Sequence, residues 1–360
     1  MRSSSWSVRC AVACAALMAC VGMLRAQQTQ PADISDRIAL WAQRPPIGAT
    51  VMDTYTTALT ITSQFPSTFK AAVRQVIEMK VSHMVLGLGD QLTPEPDRDA
   101  TVEDLRRLWR LDILGDLAKG TPQFKAEALA VLCPILADVA VGMLDEKGDP
   151  AVAARVNALL LLTDIAGSDG SKVNALLSIL RRKGVERGAL LMVVRELGRL
   201  KIGVTAPDIL KLLSDDNPVL LAAGARALGK IADMGALDPL IALLLRAGDS
   251  VKATPEDARD AVLAVIEGLR GVASANALNE RQQAKTVAAL MRTVLSDPDR
   301  LVVVAAADAV RQISGYPMAL DARMSEEDFQ AGIEKMRDWW LKQKLAPEYY
   351  RGFFSGETEK

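Results

Sequence analysis

Residues 215–232 read Asp-Asp-Asn-Pro-Val-Leu-Leu-Ala-Ala-Gly-Ala-Arg-Ala-Leu-Gly-Lys-Ile-Ala, and versions of this unit recur along the chain. A capping residue and a proline open a helix of small side chains. A Gly-containing break follows, and a second helix then carries Leu237, Leu240, Ile241, Leu244 and Leu245 on one face at helical spacing. Neither helix can bury its apolar side alone, so each unit must stack on the next. That is the sequence signature of an all-α solenoid.

From residue 149 the units are explicit. Asp149-Pro150, Asn217-Pro218, Thr254-Pro255 and Asp297-Pro298 each set a side-chain oxygen before a proline at the first helical position. The oxygen satisfies an orphan N–H, and the proline has none to leave unsatisfied. Residues 185–200 supply a start without proline between the first two. Second-helix stripes are clear at Val173, Leu176, Leu177 and Leu180, and again at Val287, Leu290, Met291, Val294 and Leu295. The unit opening at Thr254 is longer, with an insertion expected between its helices around residues 271–280.

Five segments follow: a signal peptide over 1–26, a linker or docked arm over 27–48, an N-terminal helical region over 49–148, repeats over 149–320, and a capping helix with an aromatic tail over 321–360. Within the third, Thr101 and Asp104 have capping-box spacing, and the helix opened at Pro122 is expected to kink or break at Pro134. In the tail, Ser325 caps a helix bearing Phe329, Ile333, Met336, Trp339 and Trp340, followed by Tyr349, Tyr350, Phe353 and Phe354. The large side chains suit a cover for the last open face or a partner-docking motif, and both roles hold if Trp339 faces inward and Trp340 outward toward a partner.

The first residues read as an export signal. Arg2 and Arg9 flank a polar stretch, residues 10–24 are an almost unbroken apolar run, and the expectation is cleavage before Gln27 or at Cys20, which would then carry lipid, with an uncleaved anchor as the third reading. The destination is periplasmic or extracellular. Cys10, Cys14 and Cys20 fall inside that segment, so Cys133 is alone in residues 27–360 and no disulfide forms within them. No later stretch is expected to span a membrane.

Residues 149–316 resemble HEAT repeats, in particular the short subtype of phycobilisome-lyase-like proteins. Asn217-Pro218-Val219, Ala222-Ala223, Ala227-Leu228-Gly229-Lys230-Ile231 and Leu237, Leu240 and Ile241 match the family unit closely. Asp297-Pro298, Ala305-Ala306, Ala309-Val310 and Ile313-Ser314-Gly315 match it moderately. The resemblance implies a scaffold that binds a protein or peptide. One departure stands out: the family arginine after valine is Leu220 here and Ala153 in the first unit. An inter-repeat Asp–Arg ladder built on it is therefore not expected, and the stacking must rely more on apolar contacts.

Recognisable reaction chemistry is sparse. His83 is the only histidine; with no evident partner it supports neither acid–base catalysis nor a His/Cys zinc site. Gly87-Leu88-Gly89-Asp90 lacks the third glycine of a dinucleotide loop, and Asp97-Arg98-Asp99 lacks the glycine and glutamate of a calcium loop. No cofactor or metal is expected. Residues 27–360 carry 40 basic and 44 acidic side chains, which gives no general pull toward nucleic acid. Aligning the second helices puts Ser178, Lys211, Ala242 and Arg292 in one column, with Arg182 and Arg246 near their C-terminal ends. Arg182, Lys211, Arg246, Arg292 and Trp340 are thus the candidate partner-binding residues, and the weakly basic column suits an acidic segment. Two other readings are an envelope element assembling through its own ends and an enzyme of unrecognised, lyase-like class.

Overall fold

The computed structural model describes residues 34–44, 47–62, 65–88, 101–142, 149–246 and 254–343. The signal segment with Cys20, and Tyr349, Tyr350, Phe353 and Phe354, lie outside the described residues. Within them are fifteen α-helices and no strand. They are α1 (Ile34–Ala42), α2 (Ala49–Thr60), α3 (Ser67–Leu86), α4 (Val102–Lys119), α5 (Pro122–Gly142), α6 (Asp149–Asp164), α7 (Gly170–Arg181) and α8 (Arg187–Leu200). Then come α9 (Ala206–Leu210), α10 (Pro218–Ile231), α11 (Leu237–Arg246), α12 (Pro255–Ala275), α13 (Glu280–Ser296), α14 (Arg300–Ser314) and α15 (Glu326–Leu341).

The helices stack in two layers. One runs α2, α4, α6, α8, α10, α12, α14; the other runs α3, α5, α7, α9 with its flanking 3-10 turns, α11, α13, α15. Between layers, each second helix packs most closely on the first helix of the following unit: α3 on α4, α5 on α6, α7 on α8, α11 on α12, α13 on α14. In the repeats the closest packing between layers is therefore offset by one helix from the sequence unit. This is an α-solenoid.

Local chemistry sets the helix starts. Asn217 Oδ1 accepts from the N–H groups of Val219 (3.0 Å) and Leu220 (3.2 Å). Thr254 Oγ1 accepts from Asp257 N–H and Ser325 Oγ from Asp328 N–H, and Thr101 with Asp104 forms the reciprocal capping box. Three expectations need correction. The last repeat opens at Arg300, not Pro298, because Asp299 Oδ1 takes the N–H of Leu301 while Asp297 takes that of Asp299. The extra length near residues 271–280 is helical: α12 continues to Ala275, leaving only 276–279 as a connection. And of the kink or break expected at Pro134 the break does not occur, since α5 runs on through it.

The leucine stripes form the core. Val173, Leu176, Leu177, Leu237, Leu240, Ile241, Leu244, Val287, Leu290, Met291 and Val294 are buried, with Leu240 wholly inaccessible. Replacing Leu240 by Ala is expected to cost about 2–5 kcal/mol, read as a lowered denaturation midpoint; an unchanged midpoint would mean that the stripe is not core.

Both ends are covered. The arm at the N-terminal side is a docked helix: Ile34, Ile38 and Trp41 of α1 are buried against α3 and α5. At the other end α15 lies against α13. Arg300 latches it, donating to the carbonyls of Met324 (2.8 Å) and Ser325 (3.1 Å) and stacking 4.1 Å over the Phe329 ring. Cys133 is buried within α5, which pushes its thiol up to about 12.

Candidate interaction surface

The second layer's outer side is where the aligned column lies. Ser178, Lys211 and Ala242 are exposed there, and Arg292 is half-buried. Arg182, just past the end of α7, donates to Asp138 Oδ1 of α5 at 3.1 Å, and Arg37 of α1 approaches the other oxygen of Asp138 at 3.6 Å. Lys211 donates to Asp208 Oδ1 at 2.9 Å, and Arg181 to Asp208 Oδ2 at 2.7 Å. The hydrogen bond from Arg181, reinforced by Lys211, holds the Asp208 carboxyl down at about 2. Farther along, Lys285 of α13 reaches Asp238 of α11 at 2.7 Å. Arg246 ends α11, exposed, with Nε donating to Ala242 O at 3.3 Å.

The structure thus brings Arg182 into an ion pair that bridges α7 and α5, while Lys211 pairs within its own segment with Asp208, which Arg181 links to α7. Trp340 does not belong with them. It is 2% exposed, buried beside Phe329, Gly332 and Met336, whereas Trp339 is the half-buried ring, stacked 4.7 Å from Tyr316. The expected facing of the two tryptophans is reversed, because Trp340 continues the 329, 332, 336 stripe at helical spacing and Trp339 falls beside it.

An inter-repeat ladder exists without the family arginine. Arg226 of α10 donates to Asp260 Oδ1 (2.6 Å) and Glu267 Oε2 (3.2 Å), both on α12, and Arg259 of α12 lies 3.8 Å from Asp299 at the start of α14. These ion pairs supplement the apolar contacts between repeats and use arginines at other positions.

One polar cluster escaped the sequence reading. The Tyr55 hydroxyl donates to Asp116 Oδ2 at 2.5 Å, and Lys80 pairs with the same carboxylate and with Asp112 at 2.6 Å. Burial, followed by the Asp116 charge, pushes the Tyr55 phenol far above its usual range, so it stays protonated and serves as a donor. With its ammonium held between two carboxylates, Lys80 ties α2, α3 and α4 together. The ring of His83 packs edge-on against Trp109, centroids 5.2 Å apart. Among the described residues no group of three or more His, Cys, Asp and Glu is placed to hold a metal ion, and no helix is long and apolar enough to cross a membrane.

A family model described as HEAT repeats matches residues 173–258. Those residues are similar to HEAT repeats. The matched part of the solenoid runs from α7 into the first turn of α12 and includes Arg182, Lys211 and Arg246. No curated protein matches the chain.

Proposed function

We propose that this HEAT-repeat protein is an exported scaffold that binds a protein or peptide partner on the outer side of its second layer and catalyses no reaction itself. The observation that carries the reading is the HEAT match over 173–258, since stacked repeats of this kind present extended surfaces for partners. Arg182, Lys211 and Arg246 recur along that surface at successive units. Asp138 and Asp208 already satisfy the first two, so an acidic segment of a partner binds by exchanging its carboxylates for these. Such exchange makes binding selective for a complementary charge pattern and sensitive to salt.

The test is photo-crosslinking in the native envelope from a probe at Ser178, compared with the variant Arg182→Glu, Lys211→Glu, Arg246→Glu, Arg292→Glu. A single crosslinked protein whose yield falls at least about tenfold in the variant is expected, each charged contact contributing about 1 kcal/mol or more. Equal yields would move the partner off this face. Export rests on Arg2, Arg9 and the apolar run over 10–24. Intact-mass measurement of the protein from its native cells is expected to show a chain starting at Gln27, or at Cys20 with a lipid mass. A cytosolic chain retaining Arg2 would end the export reading.

A further inference from the structure

Two carboxylates on the proposed partner face each hold two cations, one at each oxygen. Asp138 Oδ1 of α5 accepts from Arg182 at 3.1 Å, while Arg37 of α1 stands 3.6 Å from Oδ2. Asp208 Oδ1 of α9 accepts from Lys211 at 2.9 Å, and Oδ2 accepts from Arg181 at 2.7 Å. The neighbouring arginines at the end of α7 thus turn opposite ways, Arg181 toward α9 and Arg182 toward α5. Exposure separates these two carboxylates from a third in the same layer. The side chain of Asp208 is 8% exposed and that of Asp138 36%. That of Asp238 is 73% exposed and pairs, among the described residues, with Lys285 alone. Water can compensate Asp238 when Lys285 leaves. Asp208 lies largely out of its reach, so removing every cation there would leave a buried charge unpaired.

We infer that Arg37 and Arg181 are positioning residues for partner binding: they keep Asp138 and Asp208 compensated while Arg182 and Lys211 are handed to an acidic segment of the partner. The inference rests on the use proposed above for this face. Exchange then breaks one contact at each carboxylate and leaves the other in place. Arg181 suits the holding role, since its hydrogen bond is the largest influence that keeps the Asp208 carboxyl down at about 2. Lys211 suits the opposite one. Its side chain is exposed, and its flexible stem carries three donors, of which Asp208 takes one. The cations that meet the partner and the cations that make their release cheap are therefore different residues, and the second pair touches no ligand.

A double-mutant cycle on the full chain tests it, with a fluorescein-labelled hexaglutamate peptide as the probe and its anisotropy as the readout. Arg181→Gln is expected to weaken peptide binding at least about tenfold, because Lys211 then leaves only by stranding Asp208. In the Asp208→Asn background there is no charge to strand, so the same substitution should change affinity by less than about twofold. Arg181→Lys keeps a cation at Asp208 and should retain most of the affinity. Circular dichroism confirms that each variant is folded. Should Asp208→Asn unfold the chain, Arg37→Gln with Asp138→Asn, at the more exposed carboxylate, gives the same cycle. Affinity that falls equally on Arg181→Gln with and without Asp208 overturns the inference, because Arg181 would then bind the peptide itself or act by charge alone. Affinity that ignores Arg181→Gln overturns it too. Both results leave the face standing so long as Lys211→Gln weakens binding. If neither Lys211→Gln nor Arg182→Gln weakens it, the face itself falls and the inference with it.

Discussion

Gly268→Ala is expected to destabilise the array by about 3 kcal/mol, although glycine to alanine within a helix ordinarily stabilises by about 0.5–1 kcal/mol. The reason is backbone contact between first-layer helices. A Cβ at Gly268 of α12 would lie 2.6 Å from the carbonyl oxygen of Ala225 in α10, and one at Gly271 only 2.5 Å from that of Gly229. From the other side, a Cβ at Gly229 would lie 2.7 Å from the Gly268 Cα, and Gly198 of α8 comes equally near Ala227. The obstacles at Gly268 and Gly271 are main-chain atoms inside helices, which cannot turn aside as a side-chain tip would. Relief requires α10 and α12 to separate, and separation uncovers Ala225, Ala264 and Leu269, all buried between or beneath them. Gly115 of α4, where a Cβ would meet nothing within 4 Å, is the internal control. Gly115→Ala should raise the denaturation midpoint while Gly268→Ala and Gly271→Ala lower it. Equal shifts at all three positions would show that the approach of α10 and α12 is not a constraint on folding.

Those glycines mark where the sequence stops being legible. Helix starts were readable because a cap acts within three residues of itself: Asn217, Thr254, Thr101 and Ser325 cap as their spacing implies. The stripes were readable because burial on a helix has a fixed period. Gly229 and Gly268, by contrast, gain their meaning from a neighbouring helix, and nothing in the local pattern says how near it comes. The ladder was half legible. Arg226 and Asp260 are separated by 34 residues, close to the step between the helix starts at Pro218 and Pro255, so a search for opposite charges about one unit apart would have found them. Pairs such as Arg181 with Asp208 and Lys285 with Asp238 do not keep that spacing, since 3-10 turns and helix extensions change the unit length. For the candidate face, periodicity placed Ser178, Lys211 and Ala242 outward. It could not show that Arg182 already has a carboxylate partner on an adjacent helix and Lys211 one three residues before it. Trp340 was legible and was read on the wrong side: its eleven-residue step from Phe329 is three helical turns.

Lys172→Met is expected to cost about 3–5 kcal/mol and to make the protein unfold at a higher pH on acidification. The Lys172 side chain is wholly inaccessible, yet its ammonium is fully engaged. It donates to Glu196 Oε1 of α8 at 2.6 Å, to Ile165 O at 2.5 Å and to Thr163 O at 3.1 Å. Three donors meet three acceptors, two of them carbonyls at the C-terminal end of α6, so one residue of α7 bolts three helices together. Methionine fills the space but leaves those carbonyls and the buried Glu196 without their donor. Glu196 retains Arg199, which binds it through two hydrogen bonds of 2.7 Å. Burial alone would raise the Glu196 carboxyl, but the hydrogen bonds from Arg199 and Lys172 outweigh it and hold the group below its ordinary range. A carboxyl depressed in the folded state stabilises fully above its unfolded value, about 4.3, and loses that contribution as pH falls through the folded value. Removing Lys172 takes away part of the depression, so the acid limb of the stability curve moves to higher pH. Melting the two proteins across pH 3–7 measures both effects. Glu196→Gln added to Lys172→Met should restore part of the loss, because the buried charge that has lost one of its two cationic partners is then gone while the carbonyls stay unmatched. If the double variant is no more stable than Lys172→Met alone, the cost lies in the carbonyls of α6 and not in the ion pair.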